Sequence, residues 1–230
     1  MRLNARRNTD VFCGNQFKNP SFCAILDRAD AERCGIKNKM MTPAIQTFVT
    51  KILKCDAMTT RQTAFHEAGH RFFWGAMFPE IKTKYSVVNG LPAVIRKSGN
   101  HNLSLEKLTV EDASRYVYIK LGGVAAEMVL LGIENEAEEI ADFIANDFLA
   151  ENSTLDWKDD AEHGGDISDA FALIRSKTDP NQESVKQNFK AFLQSCVKNI
   201  LSNRDIFDKE CSEAVNLFSV WRNQGRWRPE

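Results

Sequence analysis

Two histidines spaced one helical turn apart, with a glutamate beside the first, carry the clearest chemistry in the sequence. The segment His66-Glu67-Ala68-Gly69-His70 lies in an apolar stretch that is typical of a helix. Histidines at positions i and i+4 share one helix face, with Cβ atoms about 6 Å apart, so both imidazoles can reach a single metal ion. Glu67 lies to one side, where a carboxylate can accept a proton from a metal-bound water.

The two histidines need a third ligand, because a catalytic zinc site uses three protein ligands and keeps one position open for water. The residues after His70, 71–76, lack the further histidine of metzincins. The residues alone leave four candidates for the third ligand: Glu127, His163, Asp166 and Asp169. Among them, Asp166 stands where a helix N-cap is expected. The two roles are compatible, because a carboxylate can cap a helix with one oxygen while it binds metal with the other.

Composition and charge are those of a globular protein. The chain has 230 residues, of which 43% are hydrophobic and 27% charged, and its net charge of −1 argues against nucleic acid as the main partner. The most apolar run, 121–133, is too short to span a bilayer and contains Glu127, so no membrane span is expected.

The cysteine pattern and the N-terminus favour a cytoplasmic protein with reduced thiols. None of the six cysteines forms a C-x-x-C pair, so a structural zinc cluster is not expected. The first residues carry no apolar run typical of a secretory signal. The sequence also contains no G-x-x-x-x-G-K-[ST] phosphate loop, so we expect no ATPase within it.

Hydrophobic periodicity predicts a mainly α protein with a small β-hairpin, an α+β fold. We expect an irregular N-terminal extension over 1–40 and a single helical domain over 41–230. The predicted elements are helices over 42–54, from 60 to about 77, from 109 through 129, over part of 134–160 and over 167–176, a hairpin over 81–97 with Asn89-Gly90 at its turn, and two amphipathic helices in the last fifty residues. The hairpin could align an extended peptide beside the metal helix or be purely structural, and the sequence does not choose between these roles.

Three segments in order resemble the peptidase domain of FtsH-type ATP-dependent zinc proteases. They are His66-Glu67-Ala68-Gly69-His70, Leu121-Gly122-Gly123-Val124-Ala125-Ala126-Glu127 and Gly165-Asp166-Ile167-Ser168-Asp169-Ala170. The resemblance covers about 60–176 and a helical tail. It implies a zincin-like helical metallopeptidase domain over 41–230, with Zn²⁺ as cofactor.

The resemblance assigns a role to each matching residue. It implies His66, His70 and Asp166 as zinc ligands, Glu67 as general base, and Glu127 as a neighbour of the site. Glu127 and His163 remain alternative ligands. The chain departs from the family at Gly165, which replaces an asparagine, and in the longer spacing between Glu127 and Asp166. We also expect a third departure, a peptidase domain without the ATPase module and membrane anchor that precede it in the family.

The expected function is therefore that of a zinc-dependent endopeptidase acting on unfolded or flexible protein segments without its own ATPase. A protein or peptide substrate, an oligomer or a separate unfoldase are the partners this implies. The alternative is a catalytically silent FtsH-like binding or regulatory module. The intact His66, Glu67 and His70 argue against that alternative, because a silent domain has no reason to keep a general base.

Overall fold

The computed structural model describes residues 42–48, 59–97, 108–150, 165–177 and 181–227. Within these ranges the protein is mainly helical with one small antiparallel sheet, which confirms the coarse prediction of fold class. The predicted N-terminal extension over 1–40 lies outside the described residues, as does His163. The elements are α1 (Pro43–Phe48), α2 (Thr60–Met77), β1 (Thr83–Val88), β2 (Leu91–Arg96), α3 (Val110–Leu131), a single 3-10 turn (Glu134–Glu136), α4 (Ala137–Leu149), α5 (Asp166–Lys177), α6 (Gln182–Ser202) and α7 (Arg204–Asn223). None of the described helices has the length and apolarity needed to cross a membrane.

Helix α2 begins at a complete capping box. The Thr59 hydroxyl accepts a hydrogen bond from the backbone amide of Gln62 at 3.2 Å. The side-chain oxygen of Gln62 accepts one from the backbone amide of Thr59 at 3.0 Å. These bonds satisfy two backbone groups that a helix start leaves open. The helix ends at Met77, before Pro79, as the sequence predicts.

The hairpin turns at Asn89-Gly90, both of which have positive φ (52° and 84°). Such a pair matches the right-handed twist of the flanking strands, which explains the tight two-residue connection. The Lys97 amide donates to the Lys82 carbonyl at 2.8 Å, and hydrogen-bonded pairs alternate from there along the register. Tyr85 and Val94 therefore form a non-hydrogen-bonded pair, and the Val94 amide points away from β1.

Helices α2 and α3 cross in close contact because both carry glycine at the crossing. A Cβ on Gly69 would lie 2.1 Å from the Gly122 carbonyl oxygen, and a Cβ on Gly122 would lie 2.8 Å from the Gly69 carbonyl oxygen. Side chains of any size would hold the two backbones apart. Gly69 and Gly122 thus allow the close packing of α2 against α3.

The other helices pack on α2 and α3 either directly or through a neighbouring helix. Helix α3 also packs against α5 and α6, α7 packs against α2, and α4 packs against α6. The acidic helix α4 faces basic residues of α6, where the Lys190 ammonium lies 2.9 Å and the Lys186 ammonium 3.5 Å from Asp142. The core consists chiefly of fully buried aromatic and aliphatic side chains, among them Phe48, Phe73, Phe171, Phe189, Phe207 and Phe218.

Candidate metal centre

His66 and His70 project from α2 to a common point, and Asp166 reaches the same point from the start of α5. The Nε2 atoms of the two histidines lie 2.9 Å apart, and Asp166 Oδ2 lies 3.0 Å from each of them. The histidines are 5% and 9% exposed, so solvent reaches them little. One of the four candidates for the third ligand therefore stands beside both imidazoles.

The Nδ1 atoms of both imidazoles, which face away from the shared point, have hydrogen-bond partners that determine the tautomer of each histidine. His70 Nδ1 lies 2.7 Å from the Ile119 carbonyl oxygen, which can only accept, so this nitrogen must carry the proton. His66 Nδ1 lies 2.6 Å from the Glu127 carboxylate and donates to it in the same way. In the neutral imidazoles both Nε2 atoms are then bare lone pairs directed at the shared point.

In this neutral state three acceptor atoms converge, and a metal ion or a proton on one imidazole would offset their mutual repulsion. An ideal tetrahedral zinc site with bonds of about 2.0–2.1 Å separates neighbouring ligand atoms by about 3.3 Å. The observed separations of 2.9–3.0 Å come within a few tenths of an ångström of that value. The donor set of His66, His70 and Asp166 therefore fits a metal ion.

The electrostatics of the site also favour positive charge at its centre. Burial lowers the pKa of His66, but hydrogen bonds and negative charge from Asp166 and Glu127 outweigh burial and raise this pKa well above its usual value. Burial raises the pKa of Asp166, but the charges of His70 and Lys120 and the hydrogen bond from His66 hold it well below its usual range. Asp166 is thus an anion even in this buried position.

Glu67 lies beside the two histidines on α2. Its carboxylate and the two imidazoles offer ligand atoms that all lie within 4.8 Å of one another. Glu67 Oε2 accepts a hydrogen bond from the Val94 amide of β2 at 3.0 Å. Burial raises the pKa of Glu67, opposed by the positive charge of the histidines, so the carboxylate is a better proton acceptor than an exposed glutamate.

Gly123 provides the space that the imidazoles occupy. A Cβ on this residue would lie 2.6 Å from His66 Cε1, 2.7 Å from His66 Nε2 and 2.8 Å from His70 Nε2. No side chain fits there without moving both imidazoles. Gly123 therefore serves the candidate site, and Gly122 serves the helix crossing.

The structure separates the candidate ligands that the sequence left open. Glu127 contacts His66 on its Nδ1 side and so lies behind this histidine rather than at the shared point. Asp169 contacts the Lys120 ammonium, with no described contact to either histidine. Asp166 is the first residue of α5 instead of its N-cap, and both of its oxygens contact side chains from other helices.

Lys120 belongs to the site although sequence reasoning missed it. The residue is 3% exposed, and its ammonium group lies 3.3 Å from Asp166 Oδ1 and 2.5 Å from Asp169 Oδ2. Burial lowers the pKa of Lys120, but the two carboxylates outweigh burial and raise it. A signal was present, because Lys120, Gly123 and Glu127 stand at i, i+3 and i+7 on one face of an otherwise apolar helix.

Comparison of the chain with protein-family models, with curated proteins and with solved structures finds no match.

Proposed function

We propose that the protein is a zinc-dependent endopeptidase of the FtsH type, with a zincin-like site built on α2. The observation that carries this proposal is the convergence of His66 Nε2, His70 Nε2 and Asp166 Oδ2, with the Glu67 carboxylate beside them. Two imidazoles, one carboxylate and an adjacent glutamate are the groups that metal-assisted hydrolysis of a peptide bond requires.

Zinc is the metal we assign to this site. A set of two histidines and one carboxylate is the ligand set of several zinc peptidases and leaves one coordination position open. Non-haem iron uses the same set, so the donor atoms alone do not select the metal. The buried Glu67 favours hydrolysis, because this reaction needs a base next to the metal.

Different residues of the chain have different roles in the proposed reaction. A bound zinc ion would supply an activated water and would polarise the substrate carbonyl. Glu67 accepts a proton from that water and hands it to the departing amine. Glu127 and the Ile119 carbonyl orient the imidazoles through their Nδ1 atoms and make the opposite nitrogens available as ligands.

The depth of the site points to extended substrates. His66, Glu67 and His70 are 5%, 7% and 9% exposed, so a peptide bond must reach them as a narrow, extended segment. We therefore assign unfolded proteins and flexible segments as substrates.

Metal content and turnover, measured together, test the proposal. We expect about one zinc per chain in the wild type by plasma mass spectrometry, which also detects iron, and cleavage of fluorescein-labelled casein. His70→Ala should lose both zinc and cleavage, whereas Glu67→Gln should keep zinc and lose cleavage by about a hundredfold or more. Glu183→Gln, an exposed glutamate at the start of α6, is the matched control and should retain both.

Three results would count against this proposal. A wild type that binds no metal would show that the candidate site is not a metal centre. Cleavage by Glu67→Gln at the wild-type rate would show that Glu67 is not the general base. A wild type that binds zinc but cleaves no unfolded protein favours the alternative, a catalytically silent binding or regulatory module.

A further inference from the structure

The two oxygens of Asp166 have different partners. Oδ2 lies 3.0 Å from both imidazole Nε2 atoms, whereas Oδ1 lies 3.3 Å from the Lys120 ammonium. The ammonium in turn contacts Asp169 Oδ2, one turn further along α5. A single buried lysine from α3 thus joins the first turn of α5 to the candidate ligand.

A carboxylate in this position needs such a partner. Asp166 is the first residue of its helix, and an unrestrained carboxylate can offer a metal either one oxygen or both. If both oxygens bind, they take up the position that hydrolysis requires for water. An ammonium held against Oδ1 leaves Oδ2 as the oxygen that faces the histidines.

We propose that Lys120 is a positioning residue, which keeps Asp166 as a ligand through one oxygen, and that Asp169 holds the Lys120 ammonium in place. This inference rests on the metal centre of the proposed function. Lys120 acts through Asp166 and is not assigned any contact with substrate.

Removal of Lys120 has two opposing consequences for metal binding. Loss of a nearby positive charge makes Asp166 a stronger donor, which would tighten zinc binding. Loss of the ammonium also leaves Asp166 and Asp169 on either side of the vacated position, where their like charges repel each other. We expect the second effect to dominate, because the repulsion turns the Asp166 carboxylate out of the orientation in which Oδ2 alone faces the imidazoles.

The test is zinc affinity, measured by competition with a chromophoric chelator on the purified full chain. We expect Lys120→Met to bind zinc about 10-fold to 100-fold more weakly, the range found for residues that orient metal ligands. Lys190→Met is the matched control, because Lys190 forms a comparable link between helices through Asp142 outside the site. Unchanged or tighter zinc binding by Lys120→Met would overturn the inference.

Cobalt substitution tests how many oxygens Asp166 supplies. A four-coordinate cobalt site absorbs visible light more strongly than a five-coordinate one, since it departs further from inversion symmetry. We expect Lys120→Met to show weaker cobalt absorption as the second oxygen binds, whereas Lys190→Met should match the wild type. A spectrum identical to that of the wild type would contradict the assigned role, because a purely structural lysine would not alter the coordination number.

Asp169→Asn keeps the test decisive if circular dichroism shows that Lys120→Met does not fold. This variant retains Lys120 but removes the Asp169 charge that holds its ammonium in place, so the ammonium restrains Asp166 Oδ1 less firmly. We expect zinc affinity to fall severalfold, and an unchanged affinity would overturn the inference.

A wild type that binds no zinc rejects both this inference and the proposed function. Zinc binding without casein cleavage rejects the proposed function alone, and the affinities of the variants still decide the role of Lys120.

Discussion

Glu67 Oε2 accepts a hydrogen bond from the backbone amide of Val94 at 3.0 Å. This bond joins the candidate general base on α2 to the strand β2, 27 residues away in the sequence. The Val94 amide is available because it stands in a non-hydrogen-bonded pair with Tyr85. The hairpin therefore has a definite role, in that its outer edge orients the carboxylate of the candidate site.

Val94→Pro should lower turnover without removing the metal. Proline deletes the amide that Glu67 uses and breaks no bond to β1, and Pro92 already occupies an equivalent position on the same strand. We expect casein cleavage to fall about 10-fold, as for loss of one hydrogen bond to a charged group, with zinc content unchanged. Ala93→Pro is the contrasting variant, because Ala93 pairs with Ser86 through ladder hydrogen bonds and its substitution should destabilise the fold.

Gly123→Ala should weaken zinc binding with little effect on secondary structure. The added methyl group would lie 2.6–2.8 Å from the imidazoles and must displace them. We expect a loss of zinc affinity of about 10-fold or more, measured by chelator competition. Gly75→Ala on α2 is the control, because a Cβ there meets no atom within 4 Å. That control should bind zinc normally and gain about 1 kcal/mol in the free energy of unfolding.

The ion pair between Asp142 and Lys190 should make stability depend on pH in the acid range. Burial raises the pKa of Asp142, but the hydrogen bond and charge of Lys190 outweigh burial and lower it from its ordinary value of 3.8. A carboxyl group with a lowered pKa in the folded state stabilises the protein above its unfolded pKa, and this stabilisation is lost as the pH falls through the folded pKa.

Urea denaturation of the wild type and Lys190→Met, from pH 6 down to pH 2, measures this contribution. We expect Lys190→Met to be less stable by about 1 kcal/mol or less at pH 6, since the pair is partly exposed. The difference should shrink below the ordinary pKa of aspartate. A difference that stays constant across this range would show that the ion pair does not contribute.

Cys196 and Cys211 should resist thiol reagents in the folded protein. Burial raises the pKa of Cys196 well above its usual value, and burial together with the charge of Asp208 raises the pKa of Cys211 to about 12. The reactive thiolate is therefore scarce at pH 8. Peptide mapping after iodoacetamide treatment should find both cysteines unmodified in buffer and modified in urea. Rapid modification in buffer would contradict the burial of these side chains.

The elements that local sequence encodes were predicted well. The helix starts near residues 60 and 109 and the Asn89-Gly90 turn depend on hydrogen bonds and dihedral angles within a few residues. The predicted helix over 167–176 begins one residue earlier and ends one residue later, at Asp166 and Lys177. Helix ends are less definite than helix interiors, because the terminal turns lack part of their hydrogen bonds.

The sequence by itself determined that His66 and His70 share a helix face with Glu67 beside them, since the helical repeat alone imposes that arrangement. Only the tertiary structure decided which of the candidate carboxylates meets the imidazoles, that Lys120 engages Asp166, and that Glu67 binds the Val94 amide. These contacts join residues 27–100 positions apart. They depend on how closely α2 and α3 cross at Gly69 and Gly122 and on where α5 docks against α3, which is a matter of packing between helices and not of any local pattern.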